Sequence, residues 1–199
     1  EGGQTAYRLA SDPQCRFIVT LAAPAWRGDS LLMAQCRAIA VATIGSWPGE
    51  QLQRTLVSTA ASHAPAYAAR VIMLSALSES LGGQASIPQV QEQLGKQVDV
   101  MLSPWYREFL RYDPAADIKA VAVPWLALNG SRDMQVPAGN LDHISNLNPM
   151  AETRVMDGLN HLFQPAVTGL PQEYATIRGD VSESTLEVIL KWLGDNVGR

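Results

Sequence analysis

The segment RFIVTLAAP, Arg16 to Pro24, holds a nearly unbroken apolar run from Phe17 to Ala23, and a second run, VAVPWLAL, covers Val121 to Leu128. A strand without polar alternation has no face to offer water. Runs of this kind belong to parallel strands covered by helices on both sides. ETRVMDG, Glu152 to Gly158, reads as a third strand followed by a loop. Residues 3–11 read as a short helix closed by Pro13, and GNLDHISNL, Gly139 to Leu147, reads as another. In SESTLEVILKWLGDNV the residues Leu186, Ile189, Leu190, Leu193 and Val197 recur at helical spacing, with Ser182 placed as the cap. This alternation predicts an α/β fold in which parallel strands are flanked by helices.

Between the first two strands the character changes. Residues 27–113 are rich in Ala, Leu and Gln and lack strand runs, with breaks at Trp47-Pro48-Gly49, Pro65, Gly82-Gly83 and Ser103-Pro104. This pattern predicts several amphipathic helices in succession. The chain therefore divides into residues 1–26, a helical insert over 27–113, and residues 114–199. The insert is either a helical domain of its own or a cap over a site on the α/β part.

Hydrophobic residues make up 47% of the 199 and charged residues 17%, enough apolar side chain for a core. The net charge is −4, from 19 acids against 15 bases, with no basic run, which argues against a nucleic-acid partner. No apolar stretch approaches the ~20 residues of a membrane span. Cys15 and Cys36 form neither a CxxC pair nor a metal spacing and read as buried thiols.

The chain has three histidines. His63, in STAASHAPA, reads as a surface or partly buried structural residue, and His143, beside Asp142, as a solvated helix residue. His161, in VMDGLNHLFQ, differs: Gly158 lets the chain turn sharply after a strand, and the loop presents an imidazole beyond the strand's C-terminal end, where ligands of open α/β sheets bind. Asp133, in LALNGSRDMQVP, stands just past the end of the preceding strand. Taken alone it also fits a turn aspartate bonding its own backbone. Taken with His161 it supplies what a histidine base needs, a buried acid that fixes the tautomer and stabilises the imidazolium. One carboxylate and one imidazole without a third ligand do not make a metal site, and no glycine-rich strand–helix turn other than Gly2-Gly3 suggests a cofactor.

A nucleophile remains to be found. In one triad order, nucleophile then acid then histidine, the serine sits in Gly-x-Ser-x-Gly between a strand and a helix. EGG leading into a helix matches the residues directly C-terminal to such a serine, with Glu1 next to the nucleophile and Gly2 and Gly3 kept small where the helix start presses on the neighbouring strand.

With these residues in place, the sequence resembles the α/β-hydrolase superfamily, in particular bacterial serine hydrolases whose elbow reads Gly-His-Ser-Glu-Gly-Gly. The matching stretches are EGGQTAYRLA, FIVTLAAPAWRGDSLLMAQ, SPWYREFLRYDPAADIKAVAVPWLALNGSRDMQVP and GLNHLFQPAVTG. The resemblance implies the C-terminal portion of that fold with a helical cap over residues 27–113. It implies Asp133 as triad acid, His161 as general base and the Glu1 backbone N–H as an oxyanion-hole donor. The serine and the earlier strands would then lie before residue 1, making the N-terminal remainder of the same protein a required partner. The substrate implied is a small-molecule carboxylic ester, with amides or short peptides as the enzymatic alternative. A binding protein on a degenerate hydrolase fold, or an inert fragment, is the non-enzymatic one.

Overall fold

The structure is a computed structural model and describes residues 2–197. In chain order the elements are α1 (Gly2–Leu9), β1 (Ile18–Leu21), α2 (Gly28–Ile44), α3 (Glu50–Ala61), α4 (Ala66–Leu81), α5 (Pro88–Met101) and α6 (Pro104–Arg111). They continue with α7 (Ala115–Ala120), β2 (Trp125–Gly130), α8 (Gly139–Leu147), β3 (Ala151–Met156) and α9 (Glu183–Asn196). Two compact units result, one built from Glu1–Arg27 with Asp113–Arg199 and the other from Gly28–Tyr112.

The first unit holds a three-stranded parallel sheet in the order β1-β2-β3. Trp125 pairs with Ile18 on one side and Ala151 on the other, and the ladder ends with Gly130 against Met156. Every residue of β2 is buried. Side chains alternate across a strand, so its apolar content is divided between two covered faces. Trp125 and Ala127 join Tyr7, Ile118, Leu141 and Ile144 in one cluster, with the Tyr7 and Trp125 rings 5.2 Å apart. Leu126 and Leu128 join Met156, Leu159, Phe163 and Trp192 in the other. An unbroken apolar run is what a strand between two helical layers requires.

The boundaries differ from the sequence expectation in physically legible ways. β1 stops at Leu21 rather than Ala23, because Ala22 turns to φ 50° while its N–H still reaches the Leu128 carbonyl at 2.8 Å. β2 starts at Trp125 rather than Val121, since α7 and its C-cap occupy the chain to Val121, whose side chain serves the core and not the ladder. Pro124 lacks an N–H but its carbonyl accepts the Ile18 N–H at 3.0 Å. In α9 the buried face is also shifted: Thr185 and Trp192 are buried with Val188, Ile189 and Leu193 packed against the core, whereas Leu186 and Leu190 are exposed. The bulk of Trp192 sets the face. Ser182 caps α9 by accepting the Thr185 N–H. Cys15 and Cys36 are half-buried rather than buried.

The second unit is helical throughout, and the Pro and Gly breaks fall at the boundaries of its helices. Leu56, Val57 and Ala60 of α3, Ala69 and Met73 of α4, Val98 of α5 and Leu110 of α6 form its core. The last carbonyls of a helix lack partners within it. Here α6 supplies them: Arg107 donates to the carbonyls of Ala60 at 3.1 Å, Ser62 at 2.6 Å and Ala64 at 2.7 Å. Arg111 donates to Ala61 at 2.9 Å and also to Ser62. Cations at a helix C-terminus also meet the negative end of its dipole.

Charge-assisted bonds to partly buried acceptors contribute more than exposed ion pairs. Arg107→Met should therefore lower unfolding stability by about 1–3 kcal/mol. Lys96→Met, which removes only the exposed pair with Glu92, should cost under about 0.5 kcal/mol. Urea denaturation of the two variants checks the ranking, and equal losses would contradict it.

Candidate active site

The parallel strands deliver their C-terminal ends to one edge of the sheet. Past β2 the chain turns at Ser131–Val136, and past β3 it enters the loop that carries His161. Asp133 and His161 meet there. The imidazole Nδ1 lies 2.8 Å from Asp133 Oδ2, with the Asp133 side chain fully buried and the His161 side chain 27% exposed. The other carboxylate oxygen, Oδ1, accepts the N–H groups of Gln135 at 2.8 Å and Val136 at 2.9 Å. One carboxylate oxygen thus serves the turn and the other faces the imidazole.

A carboxylate accepts and does not donate, so the pairing places the imidazole proton on Nδ1. Nε2 then carries a lone pair, with no hydrogen-bond partner among the described residues. An oriented imidazole with its acid buried behind it and its second nitrogen open is equipped to take a proton from an adjacent nucleophile and return it.

Further residues hold this geometry. Asn129, wholly buried at the end of β2, donates to the Val136 carbonyl at 2.8 Å and closes the turn. Its amide also stands 3.5 Å from Asp133 Oδ2, the outer limit of a useful contact. Asn160 Oδ1 accepts the N–H groups of Leu162 at 2.9 Å and Gln164 at 3.0 Å, curling the chain around His161. Phe163 sits at φ 58° and is only 2% exposed. The left-handed backbone costs about 1–2 kcal/mol, which burial of the ring, worth about 1.5–3 kcal/mol, offsets.

The acid turn and the histidine loop are stitched to each other. Ser131 Oγ donates to Asp157 at 3.0 Å and accepts the Gly158 N–H at 2.8 Å, while Arg132 N–H reaches the Leu159 carbonyl at 2.9 Å. Gly130 makes the approach possible, because a Cβ there would stand 2.2 Å from the Leu159 carbonyl oxygen and 2.6 Å from that of Asn160.

The start of α1 reaches the same edge. A Cβ on Gly3 would lie 2.3 Å from the Cβ of Ala23, just past the end of β1, so this glycine is required by close approach. Gly2 differs, since nothing among the described neighbours stands within 4 Å of a Cβ placed there. The Glu1 N–H, expected as an oxyanion-hole donor, lies outside the described residues. His63 is exposed, and His143 is half-buried rather than solvated.

The segment after the histidine loop carries two residues that the motifs and spacings did not single out. Glu173, in a 3₁₀ turn at Pro171–Ala175, accepts the N–H groups of Val167 at 2.6 Å, Thr168 at 2.9 Å and Gly169 at 2.8 Å, and the Thr168 hydroxyl at 2.6 Å. The Thr168 hydroxyl and these backbone donors hold its carboxyl down at about 2. Beside it, the Tyr174 hydroxyl accepts the His161 backbone N–H at 3.2 Å.

No family model matches the chain, and no curated protein matches it either. Among solved structures it is similar to the esterase RhEst1 from Rhodococcus sp. ECU1013, at 16% identity and a TM-score of 0.36, over 92% of this chain and 59% of that one. It is also similar to the esterase E22, at 12% identity and a TM-score of 0.35, over 89% of this chain and 58% of that one. The chain thus spans under two thirds of the length of both.

Two outcomes test the site's construction. Gly130→Ala forces backbone against backbone and should cost about 1–3 kcal/mol or more in urea denaturation; an unchanged midpoint would contradict the packing. For Glu173, the unfolded carboxyl titrates near 4.5 and the folded one near 2. Its contribution to stability is therefore full above the higher value and lost as pH falls through the lower one. The stability difference between the parent protein and Glu173→Gln should stay constant above about pH 5 and close between there and pH 2, read from unfolding curves at stepped pH.

Proposed function

We propose that this chain carries the acid and base of a serine hydrolase that cleaves carboxylic esters through an acyl-enzyme, with its nucleophile immediately before Glu1. The observation that supports this reading is the 2.8 Å contact from His161 Nδ1 to a fully buried Asp133 carboxylate. Such an arrangement fixes the imidazole's tautomer and orientation, which is the demand of a general base. The tight packing of Gly3 on Ala23 supports it further, since it brings the beginning of α1 to the sheet edge that carries the pair.

In this reading the serine Oγ attacks the ester carbonyl carbon as its proton passes to His161 Nε2. Asp133 stabilises the imidazolium without taking the proton. Negative charge gathers on the former carbonyl oxygen, where backbone N–H groups at the start of α1 would meet it, that of Glu1 among them. Collapse of this intermediate expels the alcohol, which receives the proton from Nε2. Water then attacks the acyl-enzyme with His161 again as base, releasing the acid and restoring the serine.

The test uses the protein together with the segment preceding Glu1, assayed with p-nitrophenyl acetate. His161→Ala and Asp133→Asn should each lower kcat by about two orders of magnitude or more. Asp133→Asn keeps the shape of the side chain while its amide can no longer accept from Nδ1 in the same way. Full activity in both variants would end the assignment.

A further inference from the structure

Among the described residues, one short turn beyond the histidine loop fastens both that loop and the segment packed on Arg132. Pro171–Ala175 presents Glu173 and Tyr174 side by side in sequence, yet each grips a different part of the site. Tyr174 holds the histidine loop directly, through its hydroxyl on the His161 N–H at 3.2 Å. Glu173 gathers Val167, Thr168 and Gly169 around its carboxylate.

That gathered segment leans on the acid-bearing turn. Gly169, at φ 73°, lies so close to Arg132 that a Cβ would stand 1.8 Å from the Arg132 carbonyl oxygen. Arg132 Nη1 in turn donates to the Val167 carbonyl at 2.7 Å. Arg132 is the immediate neighbour of Asp133. One turn is therefore fastened to the base through Tyr174 and to the residue beside the acid through Glu173.

We propose that Glu173 and Tyr174 are positioning residues that hold the His161 imidazole on the Asp133 carboxylate. The proposal rests on the reading of Asp133 and His161 as an acid–base pair. Neither residue touches the reacting atoms in it; both act through the loops they fasten. The carboxylate of Glu173 keeps its charge throughout the range in which an imidazole works as a base, so the brace is permanent and not a pH switch. Misplacement of a catalytic group by about 1 Å can cost on the order of a hundredfold in rate, and a loosened loop costs a share of that.

Tyr174→Phe keeps the ring and removes the acceptor for the His161 N–H. Glu173→Gln keeps the length but turns an amide NH₂ toward backbone donors. Both are examined in the protein with its preceding segment. Two signals need no substrate: the downfield proton resonance of His161 Nδ1–H, and amide hydrogen exchange at His161 and Gly169. Tyr174→Phe should weaken the first and speed exchange at His161 by about tenfold, and Glu173→Gln should do the same at Gly169. With p-nitrophenyl acetate, kcat should fall on the order of tenfold in each while KM moves less than about twofold. Unaltered proton and exchange signals in both variants would overturn the brace. Loosened exchange with an unchanged Nδ1–H signal and unchanged kcat would overturn the positioning role. A parent protein that hydrolyses no ester defeats the functional reading instead, and the brace is then decided by the substrate-free signals alone.

Discussion

The site depends on one buried carboxylate having every demand on it met. Asp133 lies beneath the surface, where an ion without partners would be costly. One oxygen is held by two backbone N–H groups of its own turn, and the other faces the imidazole. The first contact makes the second specific. With Oδ1 anchored to Gln135 and Val136, the side chain has no freedom to rotate away, and Oδ2 points where β3 delivers His161. The turn chemistry that makes aspartate common after a strand is here the device that aims it.

The sheet supplies the rest of the precision. Parallel strands in adjacent register end side by side, so residues a few positions beyond Gly130 and Met156 meet without long excursions. The absence of a side chain at Gly130 lets the backbone of the histidine loop lie directly on the end of β2. Helices on both faces of β2 fix the strand itself, since its side chains divide between two packed clusters. A polar side chain at Leu126 or Leu128 would leave a group without a partner at the base of the site.

Much of this was legible in the residues. Two apolar runs and a third mixed strand marked the sheet, and the strand-to-loop transitions at Gly130 and Gly158 marked where Asp133 and His161 would emerge. The edges of the strands were not legible, because Val121 and Val123 are apolar for the sake of the core and Ala22 leaves the strand by a backbone rotation that no residue type announces. The α9 face departs from its periodicity for a related reason: a periodic count weighs Leu186 and Leu190 equally with Trp192, whereas packing rewards volume. Glu173 and Tyr174 carry no such mark, because their partners are mostly backbone N–H groups, and a sequence does not show which amide lacks an acceptor.

The connection between β1 and β2 sets a constraint on how the molecule forms. Leu21 pairs with Leu128, so residues 22–127 must be looped out before this ladder exists. Closing a loop costs entropy that grows with the logarithm of its flexible length, about 0.6 kcal/mol per doubling. Structure formed early within Gly28–Tyr112 removes most of that flexible length. A helical insert formed before the ladder would therefore ease its closure, and sequence changes confined to that insert would be felt by two strands whose own residues are untouched.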